Sequence, residues 1–563
     1  MSILQFKKVN CKNCYKCVRF CPVKAIEVRE HQARIIENEC ILCGNCTVVC
    51  PQNAKEDLSD LPGILSLLAQ GRETYVSLAP SWAAQYPDAS LATMRRALAA
   101  LGFAGVEETA EGAYLVKSAY ESLVASGKYD TLISSCCPAV VQYIERHMPA
   151  ALPHLAPVLS PMQAHTRLIK ERHPGAAVVF IGPCIAKKSE ACSGGAQTDF
   201  VLTFDELDAW LLEADISIAP RADAGETSRL SRLFPVSGGI LGTMAQDDQT
   251  RYLSVDGMER CIDALGEVVS GRLKGCFIEM SACRGSCIGG PSFRRKAAAL
   301  LSGRISVERT ARAPGASPDY DTPAPFRLTR TFRNERVGRE APTPAQIGDI
   351  LRRMGKSGPE DELNCGTCGY ATCREKAAAV FCGKAEISMC LPFMKERAES
   401  LSNKILDATP NAIVTVDTDL KIQQLNRAAC TLFGIAQPHD VIGGPVSRIM
   451  DEFDFVSLIA SGEKSLVRRV YRAEYAVYLE EIFLHDRQAN DVICIMKDIT
   501  GDRRRQKALH EKKQAAAGMA DEIVARQLRI VHEIASLLGE TAAETKIAVE
   551  DLKQTILMDE EDA

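Results

Sequence analysis

The chain begins with two copies of the cysteine pattern CxxCxxCxxxCP, which constrain the fold more than any other feature. The first copy is Cys11, Cys14, Cys17 and Cys21, and the second is Cys40, Cys43, Cys46 and Cys50. Three thiolates at three-residue steps can wrap one iron–sulfur cube, whereas the fourth, turned away by proline, reaches the other cube. The pattern predicts two 4Fe-4S clusters, one on Cys11, Cys14, Cys17 and Cys50 and one on Cys40, Cys43, Cys46 and Cys21. Structural zinc is the alternative, but zinc closes with four ligands and does not need the repeated third cysteine.

Length and charge exclude several classes of protein. The 563 residues predict three to five domains at roughly 100–200 residues each. A net charge of −5 without a long basic stripe argues against a nucleic-acid partner. The start MSILQFKKVN lacks the features of a signal peptide, and no apolar run reaches the roughly 18 residues of a membrane span. We therefore expect a cytoplasmic protein without a membrane partner, whose 23 cysteines serve metal binding or catalysis.

Three apolar runs between residues 75 and 300 end in cysteine. They are YDTLISSCC with Cys136 and Cys137, AAVVFIGPC with Cys184, and GCFIEMSACRGSC with Cys283 and Cys287. Each run predicts a buried strand followed by a loop, and loops at the carboxyl ends of parallel strands converge on one crevice. We expect these thiols to hold one cluster, and we expect Cys192, Cys261 and Cys276 to be buried structural cysteines.

These runs resemble the active-site domain of iron-only (FeFe) hydrogenases. The family signatures TSCCPxW, MPCxxKxxE and ExMACxxGCxxGG correspond here to SSCCPAV, GPCIAKKSE and EMSACRGSCIGG, in the same order. The resemblance implies that Cys137, Cys184, Cys283 and Cys287 hold a 4Fe-4S cube, with Cys287 bridging to a two-iron subcluster bearing carbon monoxide and cyanide. Dihydrogen would be split or made at that centre, the H-cluster.

The resemblance also assigns three side chains that act around the two-iron unit. Lys187 would donate a hydrogen bond to a cyanide nitrogen, and Ser81 in LAPSW matches a position with a similar role. Cys136 matches the thiol that passes protons between the subcluster and the protein. Both orienting groups matter because only one thiolate tethers the unit.

Several positions depart from the family pattern. Gly182 and Ser281 replace methionines and Val140 replaces a tryptophan, so we expect a shifted potential and slower turnover. The family's relay serine falls at Ala156 and its paired glutamates fall near Ala119 and Tyr120, so the usual proton route is interrupted. Glu121 and Glu145 are alternative relays, although a helical glutamate is more often a solvated surface charge.

A third cysteine group follows a proline-rich linker predicted at 311–345. Cys365, Cys368, Cys373 and Cys390 resemble the small iron–sulfur domain of corrinoid proteins and electron-transport subunits, particularly through NCGTCGYATCREKA. The resemblance implies a third 4Fe-4S cluster, with structural zinc as the competitor. Cys382 is left over and is expected to be structural.

The C-terminal part resembles a sensory module. LSNKILDATPNAIVTVDTDLKIQQLNRAACTLFG, ending in ICIMKDITGDR, resembles a PAS domain, whose ligand the sequence does not identify. In the tail, an apolar seam steps four and three residues without a slip through Val524, Leu528, Val531, Ala535, Leu538, Ala542, Thr545, Val549, Leu552 and Ile556. This 3.5-residue period predicts a coiled-coil homodimer, and the alternative is a helix packed on its own PAS domain.

Together these features predict a multidomain α+β and α/β protein. The predicted parts are a two-cluster ferredoxin domain at 1–58, an H-cluster domain at 72–310, a 4Fe-4S domain at 346–398, a PAS domain at 399–501 and a helical tail at 502–563. The order resembles sensory FeFe-hydrogenases, which implies dihydrogen sensing with maturation enzymes, a redox partner such as ferredoxin, and a downstream kinase, phosphatase or regulator. The rivals are a metabolic ferredoxin-linked hydrogenase and a hydrogenase-like iron–sulfur assembly factor.

Overall fold

The fold is described from a computed structural model of the full chain. The structure describes residues 3–6, 11–193, 198–220, 227–291, 293, 300–312, 319–321, 326–487 and 489–558. The chain divides into two compact units, Met1–Met394 and Lys395–Ala563. The first unit therefore contains the ferredoxin, H-cluster and third-cysteine-group regions, and the second contains the PAS-like region and the tail.

The N-terminal region is built from short elements around its cysteine loops. These elements are β1 (Leu4–Phe6), α1 (Lys16–Arg19), β2 (Ile26–Arg29), β3 (Gln32–Ile35), α2 (Asn45–Val48) and β4 (Lys55–Asp57). Strand β1 pairs with β4 and β2 pairs with β3, both antiparallel. Each copy of the cysteine pattern therefore supplies one short helix, and the strands close the region at both ends.

Two parallel sheets form the middle of the first unit. The strands are β5 (Thr74–Leu78), β6 (Gly105–Glu108), β7 (Thr131–Ile133), β8 (Ala177–Gly182), β9 (Phe200–Thr203), β10 (Arg251–Asp256) and β11 (Cys276–Ser281). Their orders are β6-β5-β8-β9 and β10-β11-β7. Strand β8 is buried along its whole length, as expected for a parallel strand covered on both faces. The three runs predicted as strands that end in cysteine are confirmed as strands, and they belong to two sheets.

Helices cover both sheets. They are α3 (Leu61–Ala69), α4 (Trp82–Gln85), α5 (Leu91–Ala100), α6 (Thr109–Ala125), α7 (Pro138–His147), α8 (Pro161–Arg172), α9 (Ala186–Cys192), α10 (Phe204–Glu213), α11 (Met258–Val269) and α12 (Leu300–Ala311). Helix α8 begins with a capping box in which the Ser160 hydroxyl accepts a hydrogen bond from the Gln163 amide, which satisfies a donor of the first turn. A buried ion pair between Arg232 and Glu108, with 2.6 Å between Nη2 and Oε2, fixes the end of β6.

The described parts of the predicted linker lie on the core. Residues 313–318 and 322–325 are outside the described residues. The Leu159 amide donates to the Leu328 carbonyl at 2.8 Å, and Phe326 and Leu328 pack against a buried cluster around Tyr120. This stretch therefore contributes side chains to the core region as well as joining it to the next cysteine group.

The third cysteine group lies among helices α13 (Pro344–Arg353) and α14 (Cys373–Phe381), and α15 (Leu391–Ala408) begins directly after Cys390.

The PAS-like region contains β12 (Ala412–Asp417), β13 (Ile422–Leu425), α16 (Arg427–Phe433), α17 (Phe453–Ser461), β14 (Ser465–Arg472), β15 (Val477–Asp486) and β16 (Asp491–Asp498). Its antiparallel sheet has the order β13-β12-β16-β15-β14. This confirms the expected strand pair, short helices and three further strands.

The tail is one helix, α18 (Thr500–Met558), of 59 residues. Six seam residues, Val524, Leu528, Val531, Leu538, Val549 and Leu552, are 55–64% exposed on it. The side chain of the last predicted seam residue, Ile556, lies outside the described residues. No helix in the described ranges combines the length and the apolar character that crossing a membrane requires.

Gly112 on α6 generates a stability prediction, because this helix packs closely on α8. A Cβ added there would lie 2.4 Å from the Pro161 carbonyl oxygen and 2.6 Å from the His165 Cβ. We expect Gly112→Ala to cost about 1–3 kcal/mol through overpacking, seen as a lower melting temperature. Gly266→Ala on α11 is the matched control, since its Cβ would meet nothing within 4 Å. Equal melting temperatures for the two variants would contradict the described packing.

Candidate metal centres

One cavity in the first unit is lined by the loops that follow β7, β8 and β11. Its walls include every residue expected at the H-cluster, namely Ser81, Cys136, Cys137, Cys184, Lys187, Cys283 and Cys287. Apolar side chains of Met162, Phe180, Phe234 and Ile240 complete the walls. Side chains separated by up to 206 positions in the sequence therefore meet at one place.

Strand pairing explains how these loops converge. Strands β7 and β11 are parallel neighbours, and the Met280 amide donates to the Ser134 hydroxyl at 3.1 Å. Pro138 starts α7 directly after Cys137, a position at which proline stabilises a helix start. Cys184 comes from the other sheet, because it follows β8. The cavity therefore lies between the ends of two sheets.

The cavity thiols influence one another electrostatically. Burial raises the pKa of Cys287 to about 12, with further contributions from Cys184 and Cys137. Burial likewise raises the pKa of Cys184 to about 11, and Cys137 adds to it. Such thiols ionise and bind only where a positive charge compensates for desolvation, as a metal cluster does.

The polar groups of the cavity fit a bound polar group. The Ser81 hydroxyl is buried and has no hydrogen-bond partner among the described residues. A buried hydroxyl without a partner costs free energy, so its position on the cavity wall points to an acceptor or donor inside the cavity. The set of five thiols, one ammonium and one hydroxyl on the cavity wall fits an iron–sulfur centre that carries polar ligands.

Lys187 is held by a buried carboxylate. Its ammonium donates to Glu190 at 2.6 Å and to the Cys136 carbonyl at 3.4 Å. Glu190 also accepts from Ser160 at 3.0 Å and from Arg330 at 2.7 Å. Burial alone would lower the pKa of Lys187, but Glu190, with smaller contributions from Cys184 and Cys136, offsets burial and the pKa is raised. The lysine therefore stays charged at the cavity wall.

Cys136 contacts a tyrosine where the family has an acidic relay. The distance from the Tyr120 hydroxyl to the Cys136 sulfur is 3.2 Å, and Tyr120 also contacts the Ser135 hydroxyl at 3.0 Å. Ser135 in turn donates to the Val158 carbonyl at 2.8 Å. A backbone carbonyl cannot pass a proton on, so this row of groups ends there. Burial raises the pKa of Cys136 to about 12.

The alternative relays expected from the sequence do not reach the cavity in the described structure. Glu121 accepts from Lys117 and from the Ala245 amide. Glu145 accepts from the Arg333 amide at 3.1 Å. Neither glutamate lines the cavity, and Ala156 and Ala119 carry no titratable group.

The N-terminal cysteines repeat one local arrangement. The Cys21 sulfur accepts a hydrogen bond from the Ala25 amide and the Cys50 sulfur accepts one from the Ala54 amide, each at 3.3 Å. Burial raises the pKa of Cys46 most, and Lys55 lowers it. The neighbouring thiols Cys43, Cys40 and Cys21 raise it further. Cys11 is a neighbour that acts on the pKa of Cys17. Cys21 thus has electrostatic neighbours in both sets of cysteines, Cys17 in the first set and Cys40 and Cys46 in the second.

One small cavity is lined by the four cysteines of the third group, Cys365, Cys368, Cys373 and Cys390, together with Lys356, Lys376 and Tyr370.

The other cysteines lie apart from the sites. Cys261 and Cys276 are buried, as expected, but Cys192 is exposed, so the expectation for Cys192 is wrong. Cys192 ends the short helix α9, where no further element covers its side chain in the described residues.

Close contacts join the cysteine groups within the first unit. Gly44, with φ +74°, lies so near the cavity loop that an added Cβ would be 2.2 Å from the Pro291 ring. On the other side, Lys24 donates to the Gly369 carbonyl at 3.1 Å, and Cys17 and Cys368 belong to one apolar cluster. The N-terminal region therefore lies between the cavity and the third group.

Family models match four parts of the chain. Residues 72–291 match "Iron only hydrogenase large subunit, C-terminal domain" and residues 3–58 match a 4Fe-4S dicluster domain. Residues 361–392 match the FeS family of iron–sulfur cluster domains, and residues 400–470 match a PAS domain. The FeS match favours an iron–sulfur cluster over zinc at the third cysteine group.

Curated relatives share parts of the chain. NADP-reducing hydrogenase subunit HndD of Solidesulfovibrio fructosivorans is 26% identical over 337 residues, 47% of this chain and 58% of that protein. The periplasmic [Fe] hydrogenase large subunit of Nitratidesulfovibrio vulgaris is 28% identical over 362 residues, 52% and 86% of the two chains. Cytosolic Fe-S cluster assembly factor NAR1 of Encephalitozoon cuniculi is 43% identical over 72 residues, 13% and 19%. The chain thus spans less than two thirds of the first relative.

The solved structures that match this chain include an apo [FeFe]-hydrogenase HydA1 from Chlamydomonas reinhardtii. It is 17% identical to this chain, with a TM-score of 0.36, and the match covers 50% of this chain and 100% of that chain. By the family matches, the chain is a hydrogenase-like iron–sulfur protein that carries the C-terminal domain of the iron-only hydrogenase large subunit, a 4Fe-4S dicluster domain and a PAS domain.

Proposed function

We propose that this chain is a hydrogen-sensing FeFe-hydrogenase that reacts with dihydrogen at an H-cluster and relays its redox state to the PAS domain. The observation that carries the proposal is the single cavity that gathers four ligand thiols, Cys136, Lys187 and the unpartnered Ser81 hydroxyl. Cys137, Cys184, Cys283 and Cys287 would hold the 4Fe-4S part, and Cys287 would also hold the two-iron unit. When bound, this group supplies reversible cleavage of dihydrogen into protons and electrons.

The chain's own residues would position that group, exchange protons with it and set the polarity around it. Lys187, kept charged by Glu190, would donate to one polar ligand, and Ser81 would donate to another. Cys136 would exchange protons, although its bond to the buried Tyr120 restricts this role. Ser281 lines the cavity and shares a 2.9 Å hydrogen bond with Ser286, where a soft thioether is expected in the family. A more polar wall supports a shifted potential and low turnover.

Electrons would move through the cysteine groups in the order in which they contact one another. The close approach of Gly44 to Pro291 supports transfer between the cavity and the cluster on Cys40, Cys43, Cys46 and Cys21. The contacts of Lys24 and Cys17 with the third group support transfer onward to the cluster on Cys365, Cys368, Cys373 and Cys390. The third cysteine group would then be the last electron acceptor, and it directly precedes the PAS domain in the amino-acid sequence.

The signalling output would pass to another protein. Helix α15 begins directly after the ligand Cys390 and continues to Ala408, four residues before the first PAS strand. The long helix α18 follows the last strand, and its exposed seam favours a dimer. A kinase, phosphatase or regulator would read the state of this unit. The proposed location is cytoplasmic, where thiols stay reduced and remain able to bind iron–sulfur clusters.

Two rival functions make different demands on the same residues. A metabolic ferredoxin-linked hydrogenase would need fast proton exit, and the interrupted row beyond Cys136 argues against this. An iron–sulfur assembly factor, the function named for the relative that matches 72 residues, would not need a two-iron unit. Retention of Cys136, Lys187 and Cys287 around one cavity favours the hydrogenase proposal.

Maturation with FeFe-hydrogenase assembly enzymes tests the function. We expect infrared bands of bound carbon monoxide and cyanide, and a change in these bands under dihydrogen. Cys287→Ser should abolish the bands because it removes the proposed tether, whereas Cys192→Ser, an exposed thiol outside the cavity, should keep them. A matured wild-type protein without carbonyl bands, and inert under dihydrogen, would disprove the proposal.

The pairing of the ferredoxin ligands can be tested with Cys21→Ser and Cys50→Ser. Each variant should lose one of the two N-terminal clusters, about four iron atoms per chain, and keep the other. Electron paramagnetic resonance of the reduced variants should show different remaining signals, because in the proposed assignment Cys21 binds the cluster of Cys40, Cys43 and Cys46, and Cys50 binds the cluster of Cys11, Cys14 and Cys17. Identical remaining signals would contradict this assignment.

The seam of the tail can be tested with Leu538→Lys. A lysine at the seam would place a charge in the dimer core, so we expect the wild-type dimer to become a monomer in analytical ultracentrifugation. Glu533→Lys, on the opposite side of the helix in the same heptad register, is the control and should remain dimeric. A monomeric wild type would favour the helix packed on its own PAS domain.

A further inference from the structure

The cavity has a second row of polar groups that does not involve Cys136. Thr109 lines the cavity, and its hydroxyl is 2.8 Å from the Ser77 hydroxyl. Ser77 is 2.7 Å from Nδ1 of His165. All three side chains are buried. We propose that Thr109, Ser77 and His165 carry protons between the cavity and the surface at Glu107, an inference that rests on the proposed function.

The far end of the row faces a carboxylate at the protein surface. His165 Nε2 is buried without a hydrogen-bond partner among the described residues, and it lies 3.8 Å from Oε2 of Glu107. The Glu107 side chain is 20% exposed, whereas that of His165 is fully buried. The remaining gap is longer than a hydrogen bond, so a small shift or one water molecule completes the path. Glu107 is therefore the point at which the row meets solvent.

Other charged groups at this end keep Glu107 ionised. Arg172 contacts Glu107 at 2.7 Å and also binds Glu111, and His173 Nε2 lies 3.4 Å from the other Glu107 oxygen. Burial alone would raise the pKa of Glu107, but His165 and Arg172 outweigh it and lower the pKa to about 2. A carboxylate that stays ionised at the exit stabilises a positive charge on His165 without taking up the proton, so the proton leaves to water beside Glu107. Because Arg172 already occupies both carboxylates, the cluster is better suited to proton release than to a metal cation.

The fold holds the row on four rigid elements. Ser77 lies on β5, Thr109 starts α6, His165 lies on α8 and Glu107 lies on β6. Gly112 allows α8 to approach α6, since a side chain at that position would overlap the backbone at Pro161. The hydroxyl of Ser77 is thus fixed between two partners.

The chemistry of these groups allows proton transfer in either direction. Serine and threonine hydroxyls donate and accept at the same time, and imidazole accepts at one nitrogen while it donates from the other. A proton that reaches Thr109 from the cavity displaces the Thr109 proton to Ser77, and the Ser77 proton moves to Nδ1 of His165. The imidazolium then loses its Nε2 proton to water beside Glu107. One proton leaves the cavity and no electron moves. Rotation of the hydroxyls and return of the imidazole from its Nδ1–H to its Nε2–H tautomer, by proton exchange with water, restore the starting state.

The row replaces a route that the chain lacks. The groups beyond Cys136 end at the Val158 carbonyl, so a proton on that thiol has no onward acceptor among them. The required reset of the imidazole in a packed interior limits the rate of the second row. Slow turnover, expected above from the altered cavity wall, follows from this route as well.

The test compares Thr109→Val, Ser77→Ala and His165→Gln in matured protein. Each variant should keep the infrared bands and lower the rate of dihydrogen uptake by about tenfold or more, with a larger solvent isotope effect. The infrared bands should also respond more slowly to a jump in pH. Thr109→Ser restores the hydroxyl and should restore the rate. Thr166→Val is the matched control. Thr166 lies on α8 next to His165, and its buried hydroxyl is 2.8 Å from the Thr198 hydroxyl, but it does not line the cavity.

A measurement on unmatured protein provides an independent readout. Nitrogen-15 NMR of labelled histidine should show that Ser77→Ala changes the tautomer ratio of His165, whereas Thr166→Val does not. Normal bands with wild-type rates, to within about twofold, in Thr109→Val and Ser77→Ala would overturn the route and leave the proposed function intact. Absence of carbonyl bands in the wild type would overturn both.

Discussion

The structure depends on the cost of ionising thiols inside a protein. Burial holds the pKa of Cys184 near 11 and that of Cys287 near 12, so at neutral pH these groups remain protonated unless a positive charge lies beside them. A metal cluster would supply that charge and share it among thiols from three loops. Burial of these thiols therefore favours a cavity that holds a metal cofactor. The same reasoning applies to the N-terminal groups, where burial also raises the pKa of Cys21, Cys40 and Cys46.

Regular secondary structure provides the precision that this arrangement needs. The loops after β7 and β11 are held side by side by parallel pairing, whereas the loop after β8 arrives from a second sheet. Helices α6 and α8 contribute Thr109 and Met162 to the opposite wall, and α8 also carries His165, which lies behind that wall against Ser77. The flanking region at 326–335 also takes part, because Arg330 reaches Glu190. Residues remote from the cavity thus set the charge and position of Lys187.

The sequence allowed the chemistry to be predicted better than the spatial arrangement. The three signature runs identified thiols that line one cavity, since such runs have few other uses. Resemblance to PAS domains predicted the strands of that region, and periodicity predicted the helical tail. It did not reveal that β7 and β8 belong to different sheets, because the order of strands depends on long-range packing. Exposure of Cys192 was missed for the same reason.

The most informative residues around the cavity carry no sequence motif. Tyr120 could be identified as a departure from the family, but its bond to Cys136 required coordinates. Thr109, Ser77 and His165 are spread over 89 positions of common residue types, and only the packing of α6 against α8 places them in a row. A histidine within an otherwise apolar helix face next to a glycine-containing helix is a weak signal at best. Functional groups of this kind become visible only when neighbours in space are known.

Helix α9 carries two adjacent lysines with separate duties. Lys187 faces the cavity, whereas Lys188 binds Asp57 at 3.0 Å and Glu206 at 2.9 Å, and so holds the end of β4. Because both side chains belong to one short turn, a rotation of this helix cannot move one ammonium without moving the other. Binding of a cofactor in the cavity would then shift Lys188 and its contacts with the N-terminal region. The resistance of that region to proteases would report how far cofactor assembly has progressed.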